Sequence, residues 1–146
     1  MRRVALLVGY DGAPFCGFQR QASGMTIQGS LEDAWYQVSG EKVVFHGSGR
    51  TDSGVHAIGQ VVHFSTCSNL LLERVVGGMN AYLSDCVAIK DAAEVPFDFH
   101  SRHSAIRKTY LYRIAIRSYP PVLDRGRVGW ERTPLKLEAL RAALRH

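Results

Sequence analysis

No apolar run in this chain approaches the ~20 residues that a membrane-spanning helix requires. Arg2-Arg3 followed by VALLVGY has the charged start of a signal peptide, but the apolar part is too short and Asp11-Gly12 breaks it at once. Cysteine is scarce: three in 146 residues, namely Cys16, Cys67 and Cys86. An odd number, with no C-x-x-C pair and no histidine at close spacing, argues against a disulfide framework and against a zinc site. Buried free thiols in a reducing compartment are the expectation, and with them a cytoplasmic protein that uses no membrane. The phosphate-loop pattern G-x-x-x-x-G-K-[ST] is absent. GSGRTD lacks the third glycine of the dinucleotide fingerprint, and a strand pattern follows it where a helix is required. Acidic residues are in deficit too: 13 Asp and Glu against 18 Lys and Arg leave a formal charge of +5 with His neutral. That balance leans toward an anionic partner such as nucleic acid.

What is present is enough chain for one compact domain with a real core. RRVALLVGY reads as a buried strand stopped by Asp11-Gly12. DGAPFCGFQRQASG (11–24) reads as loop. Ile27, Leu31, Ala34, Trp35 and Val38 fall on one helical face, with Thr26 placed to cap the start and Gly40 to stop the helix. Residues 42–46 and 60–64 read as strands. Leu72, Val75, Val76, Met79 and Leu83 mark a second helix, which Asn69 is placed to cap; Gly77 and Gly78 weaken it by about 1 kcal/mol each relative to Ala. Residues 86–95 supply a further strand, and KTYLYRIAI (108–116) alternates as the clearest strand of all, with Tyr110, Tyr112, Ile114 and Ile116 on one face.

The order β-α-β-β-α-β, then a further strand, predicts an α+β fold: the ferredoxin-like split β-α-β plan, an antiparallel sheet with both helices on one face. The other face needs a cover or a ligand, and the plan alone serves enzymes, metal carriers and RNA-binding modules alike. Residues 1–117 are expected to hold this sheet. Residues 118–146 are expected to be a connector and a helix from 135, with Leu137, Leu140 and Leu144 on one side, leading to a second half that this chain lacks.

GSGRTDSGVHA (47–57) joins two strands that should pair, yet it carries three glycines and the charges of Arg50 and Asp52. Glycine there admits φ > 0 and the close approach of another molecule. On a surface turn, Arg50 and Asp52 could simply neutralise each other. The alternative is a carboxylate held on a rigid bend for acid–base or nucleophilic work, with Arg50 as an anion or base contact. Glycoside hydrolysis ordinarily needs two carboxylates, and acyl transfer needs a Ser/His pair; neither is near.

YDGAPFCGFQRQ, TIQGSLEDA, GRTDSGVHAIGQVVHF and FDFHSRHSAIRKTYLYRI together resemble the TruA family of tRNA pseudouridine synthases, in order and near the spacing found there. The resemblance covers the chain from about residue 3 onward and only the first half of such an enzyme. It implies an isomerase that breaks the C1′–N1 bond of a uridine in the anticodon stem-loop of tRNA, at positions 38–40, and rejoins the uracil through C5. It implies no cofactor, no metal and a homodimer. By this resemblance Asp52 is the essential catalytic group, Arg50 draws the target nucleotide from the stem, and Tyr110 stacks on the uracil. Extrusion is needed because neither C1′ nor C5 is reachable in a stacked base, and stacking on a ring is worth about 1–3 kcal/mol per base.

Arg20 and Arg102 are candidate contacts to the RNA backbone, against a solvated charge for Arg20 and a loop-locking hydrogen-bonding role for Arg102. Tyr112 reads as packing. His46, His56 and His63 have no common ligand spacing, and His56 reads as a structural hydrogen-bond donor. Ser53 stands where the family has Ala, and its hydroxyl is placed to hydrogen-bond the Asp52 carboxylate. In the family the second half closes the cleft and gives a basic partner to the carboxylate. The 146-residue chain alone is therefore expected to be weakly active or inactive. The competing readings are a catalytically silent RNA-binding module of the same fold and a small-anion-binding metabolic domain.

Overall fold

The computed structural model describes residues 1–144, in two compact units, Met1–Arg107 and a second that begins at Lys108. The first unit runs β1 (Arg2–Tyr10), α1 (Ile27–Ser39), β2 (His46–Gly47), β3 (Ala57–Thr66), α2 (Leu72–Tyr82) and β4 (Val87–Val95). The sheet order is β2-β3-β1-β4, and every neighbouring pair is antiparallel. This is the split β-α-β plan: β1 and β2 are parallel with β3 between them, and β3 and β4 are parallel with β1 between them.

Local chemistry sets α1. The Thr26 hydroxyl accepts the Gly29 N–H at 3.2 Å, and Gly40 ends the helix in the left-handed region, its N–H donating to Tyr36 O at 2.8 Å. Ile27, Leu31, Ala34 and Trp35 are buried, as the helical spacing predicts. They pack on the sheet face built by Val4, Leu6 and Val8 of β1, Val62 and Phe64 of β3, and Val87 and Ile89 of β4. Leu6 opposes Val62 and Val4 opposes Phe64 in the ladder, which places these side chains on one side. Val75 and Met79 of α2 complete the core, and α2 packs against α1. The Phe64 ring meets Trp35 edge-on at 4.8 Å and stacks on Phe45 at 4.5 Å. Such aromatic pairs add about 0.5–1.5 kcal/mol each beyond their buried area.

Several expectations are corrected. The strand expected over 42–46 pairs only at His46–Gly47, although burial still alternates through Val43, Val44 and Phe45. It lies at the sheet edge, where Phe45 packs inward without a continuous ladder. Asn69 does not cap α2: Leu71 is at the N-cap with no side-chain bond, and Ser68 Oγ accepts the Leu70 N–H instead. Cys16 and Cys67 are exposed, and Cys86 packs against the core but is only partly covered.

The second unit pairs β5 (Ile114–Ile116) with β6 (Gly129–Glu131) in parallel, followed by α3 (Leu137–Ala143). Residues 108–113 are therefore not strand, against expectation. They alternate, but among the described residues only Arg113, at their end, meets a strand, its O accepting the Gly129 N–H of β6 at 2.8 Å, and an alternation without a paired neighbour has no ladder to form. Within the expected terminal helix, α3 covers the middle; positions 145 and 146 lie outside the described residues. Among the described residues no helix is long and apolar enough to cross a membrane.

Candidate functional site

The bend between β2 and β3 is fixed from beneath by two buried polar side chains. Val8 pairs with Gln60, so Gln60 shares the inward face with Val62, and Tyr10 ends the inward row of β1. A buried amide and a buried phenol must find partners. Tyr10 Oη donates to Gln60 Oε1 at 2.8 Å, and the Thr51 hydroxyl, 2.9 Å away, then donates to Tyr10 Oη. Gln60 Nε2 donates to Gly49 O at 2.8 Å. Burial pushes the Tyr10 phenol up, with the Thr51 bond pulling weakly the other way, so the phenol stays a neutral donor.

The loop after β1 grips the bend from the side. Phe18 N–H donates to Thr51 O at 3.0 Å, and Ser53 Oγ donates to Phe15 O at 3.1 Å. Gly17, with φ +96, lies so close that a Cβ on it would stand 2.8 Å from Thr51 O. Gly54 supplies the left-handed residue of the bend itself, at φ +79. At the far end, His56 Nδ1 lies 3.0 Å from Asp11 Oδ1 and 3.2 Å from Gly12 N. These two contacts are alternatives: a protonated Nδ1 donates to Asp11, and a bare Nδ1 accepts from Gly12.

Positions 49, 51 and 53 are thus each tied down, while Arg50 and Asp52 between them are exposed. No ion pair joins Arg50 to Asp52, and the Asp52 carboxylate has no hydrogen-bonding partner among the described residues. The reading of a self-neutralising turn is therefore overturned. So is the expected bond from Ser53 to Asp52: that hydroxyl is directed to the Phe15 carbonyl.

Beside the bend lies an open groove of about 340 Å³, lined by Gln19, Phe45, Gly49, Arg50, His100 and Arg102 among others. Its far wall is the stretch after β4. Ser101, buried, holds that stretch to the sheet: its Oγ donates to His46 O at 2.6 Å, and its N–H donates to His63 Nδ1 at 3.1 Å. Arg3 of β1 donates to Phe99 O at 2.8 Å and to Phe97 O. Arg102 contributes its backbone N–H to His100 Nδ1, while its guanidinium makes no hydrogen bond among the described residues. Arg50 and Arg102 thus share one groove. Arg20 does not join them: it donates to Glu32 at 2.7 Å and Asp33 at 3.2 Å on α1, which hold its charge up from the ordinary value and compensate it. Tyr110 belongs to the second unit, outside any strand, and its ring is 72% exposed; Tyr112, expected to pack, is 87% exposed.

Tyr10, Gln60 and Ser101 are not named in the sequence reading, and His63 is weighed there only as a metal ligand. Their signal was a polar side chain at an inward or covered strand position, which becomes visible only with the register. No group of His, Cys, Asp and Glu among the described residues has the geometry to hold a metal ion.

A profile of the family described as tRNA pseudouridine synthase matches residues 6–104. The tRNA pseudouridine synthase A of Rhodospirillum rubrum is 49% identical over 137 residues, covering 93% of this chain and 49% of that protein. That of Sinorhizobium fredii is 44% identical over 149 residues, covering 100% of this chain and 60% of its own. That of Nitrosomonas europaea is 40% identical over 141 residues, covering 97% and 52%. The chain spans about half the length of the curated relatives it matches.

Proposed function

The chain belongs to the tRNA pseudouridine synthase family, and from that premise we propose that it carries the catalytic bend of an enzyme isomerising uridine to pseudouridine in the anticodon stem-loop of tRNA. The observation that carries the reading is the state of Asp52: an unpaired, exposed carboxylate whose two chain neighbours are each hydrogen-bonded to other segments.

The reaction is an isomerisation. The C1′–N1 bond breaks, a C1′–C5 bond forms, the C5 hydrogen leaves as a proton, and N1 gains one. A single carboxylate has three routes into this: attack at C1′, attack at C6, or removal of a sugar proton to give a glycal. Each requires Asp52 to reach the sugar–base junction of a nucleotide taken out of the stem. Arg50 projects from the same bend and supports the extrusion, since a planar guanidinium both fills a vacated stack and grips phosphate. Arg102 lines the same groove as a backbone contact. Tyr110 is proposed as the ring on which the uracil stacks. Arg20, compensated on α1, takes the smallest share of RNA binding. Homodimerisation, which rests on the resemblance, and cytoplasmic residence, which rests on the scarce unpaired cysteines and the lack of a long apolar run, belong to the same proposal.

In the 146-residue chain Asp52 is exposed, and a carboxylate facing water lacks the preorganised surroundings that make electrostatic catalysis effective. We therefore propose weak or no turnover by the chain alone and full turnover by a version extended to the length of its relatives. The test is release of tritium from tRNA labelled at uracil C5. In the extended form Asp52→Asn should lose release by a factor of about 10⁴ or more, with tRNA affinity within about twofold of the parent. Turnover retained by Asp52→Asn would overturn the role of that residue. Binding without release by the extended parent would favour the silent RNA-binding module.

A further inference from the structure

Four of the six histidines meet at the groove beside Arg50. The His46 and His63 rings stack at 5.0 Å, His63 and His100 stand edge to face at 4.6 Å, and His100 and His103 lie 4.4 Å apart. They come from β2, β3 and the stretch after β4, segments that only the fold brings together.

The charges facing this stack are of one sign. Arg3 faces it from β1, Arg102 from the same stretch as His100, and Arg50 from across the groove. Among the described residues no carboxylate lines the groove. Glu32, which bonds to two of the lining residues, is engaged by Gln28 Nε2 at 2.9 Å, by Phe45 N–H at 3.3 Å and by Arg20. With no acid to offset it, protonation of the stack is unfavourable. Burial first, then His100, His46 and Arg3, lower His63 to about 4. Its Nδ1 accepts the Ser101 N–H, so the inner ring is a neutral anchor. His100 is lowered as well, by desolvation first and then by His103, His46, Arg3 and Arg102. The outer pair, His100 and His103, lines the groove, and there a bound anion would supply the missing countercharge.

We propose that this groove binds consecutive phosphates of an RNA backbone, held by Arg50 and Arg102 and by the His100 and His103 rings, with His100 taking up a proton, so that RNA binding and proton uptake are one event. The proposal rests on the reading of RNA as the substrate. It adds two ligands to the binding surface and gives RNA affinity a pH dependence.

The test is fluorescence anisotropy of a labelled RNA hairpin with the anticodon stem-loop shape, using the chain itself at about pH 7.5 and about pH 5.5. Affinity should rise about tenfold at the lower pH, and the slope of log affinity on log salt should steepen by about 0.7–0.9, the release expected for one further phosphate contact. His100→Gln combined with His103→Gln should flatten both changes. Ring resonances of the wild type give an independent readout: His100 should titrate at higher pH in the RNA complex than in the free protein. Inorganic phosphate in place of RNA should move that titration far less, because it spans one position only. Equal affinity at both pH values, an unchanged pH response in the double variant, or a His100 titration unmoved by RNA would each overturn the proposal while leaving the catalytic reading standing. Failure to bind the hairpin at any pH would overturn both.

Discussion

His63 is a buried histidine that refuses a proton, and this makes stability depend on pH. Its value is about 4 in the folded chain against an ordinary 6.5. Between these two the unfolded chain binds a proton that the folded chain does not, so stability is complete above about pH 6.5 and falls as pH drops toward 4. The full shift corresponds to about 3 kcal/mol at most. Urea midpoints should fall between about pH 7 and about pH 4.5, and His63→Gln, which can still accept the Ser101 N–H, should show a shallower fall. An acid limb equally steep in that variant would remove His63 as its cause. At this scale the motif marks out the bend itself, on which Arg50 and Asp52 are both exposed. The sequence was not legible for His63 and Ser101, whose pairing spans 38 positions and depends on which strand face the stretch after β4 covers.

Among elements, two glycines separate fit from freedom. Gly17 has φ +96 and faces Thr51 O, so Gly17→Ala meets both strain and a clash with the bend before β3. A loss of about 1–3 kcal/mol is expected in urea titration. Gly77 lies in α2, is exposed, and has open space where its Cβ would be. Gly77→Ala should stabilise by about 0.5–1 kcal/mol. Equal effects of the two substitutions would show that the approach of the loop to Thr51 is not tight. The same contrast explains which elements could be read in advance. The bounds of α1 were legible because capping is written within the helix's own ends, at Thr26 and Gly40. The edge strand near Phe45 and the stretch 108–113 were not, because a ladder needs a partner and an alternating pattern does not say where that partner is.

At the scale of the first unit, the bend has no stability of its own. Its hydrogen bonds run to Tyr10, Phe15, Phe18 and Gln60, and the groove wall hangs on Arg3, His46 and His63. Loosening the bend therefore means opening β1 and β3 as well. Native-state amide exchange should show the Phe18 and Ser48 amides exchanging with the same free energy as ladder amides of β1, such as Leu6, and with the same dependence on denaturant. Exchange of Phe18 several kcal/mol more easily, without such dependence, would reveal an independently mobile bend. The topology itself was legible, since six alternating patterns in that order leave few other plans.

The anchoring of positions 49, 51 and 53 from three distant segments also limits what could be transplanted. A synthetic peptide of residues 47–57 would contain Arg50 and Asp52, yet of the hydrogen bonds that shape the bend it would keep only the one from Val55 N–H to Asp52 O. Grafting the motif onto another scaffold would succeed only if the recipient supplied counterparts of the phenol, the amide and the neighbouring loop.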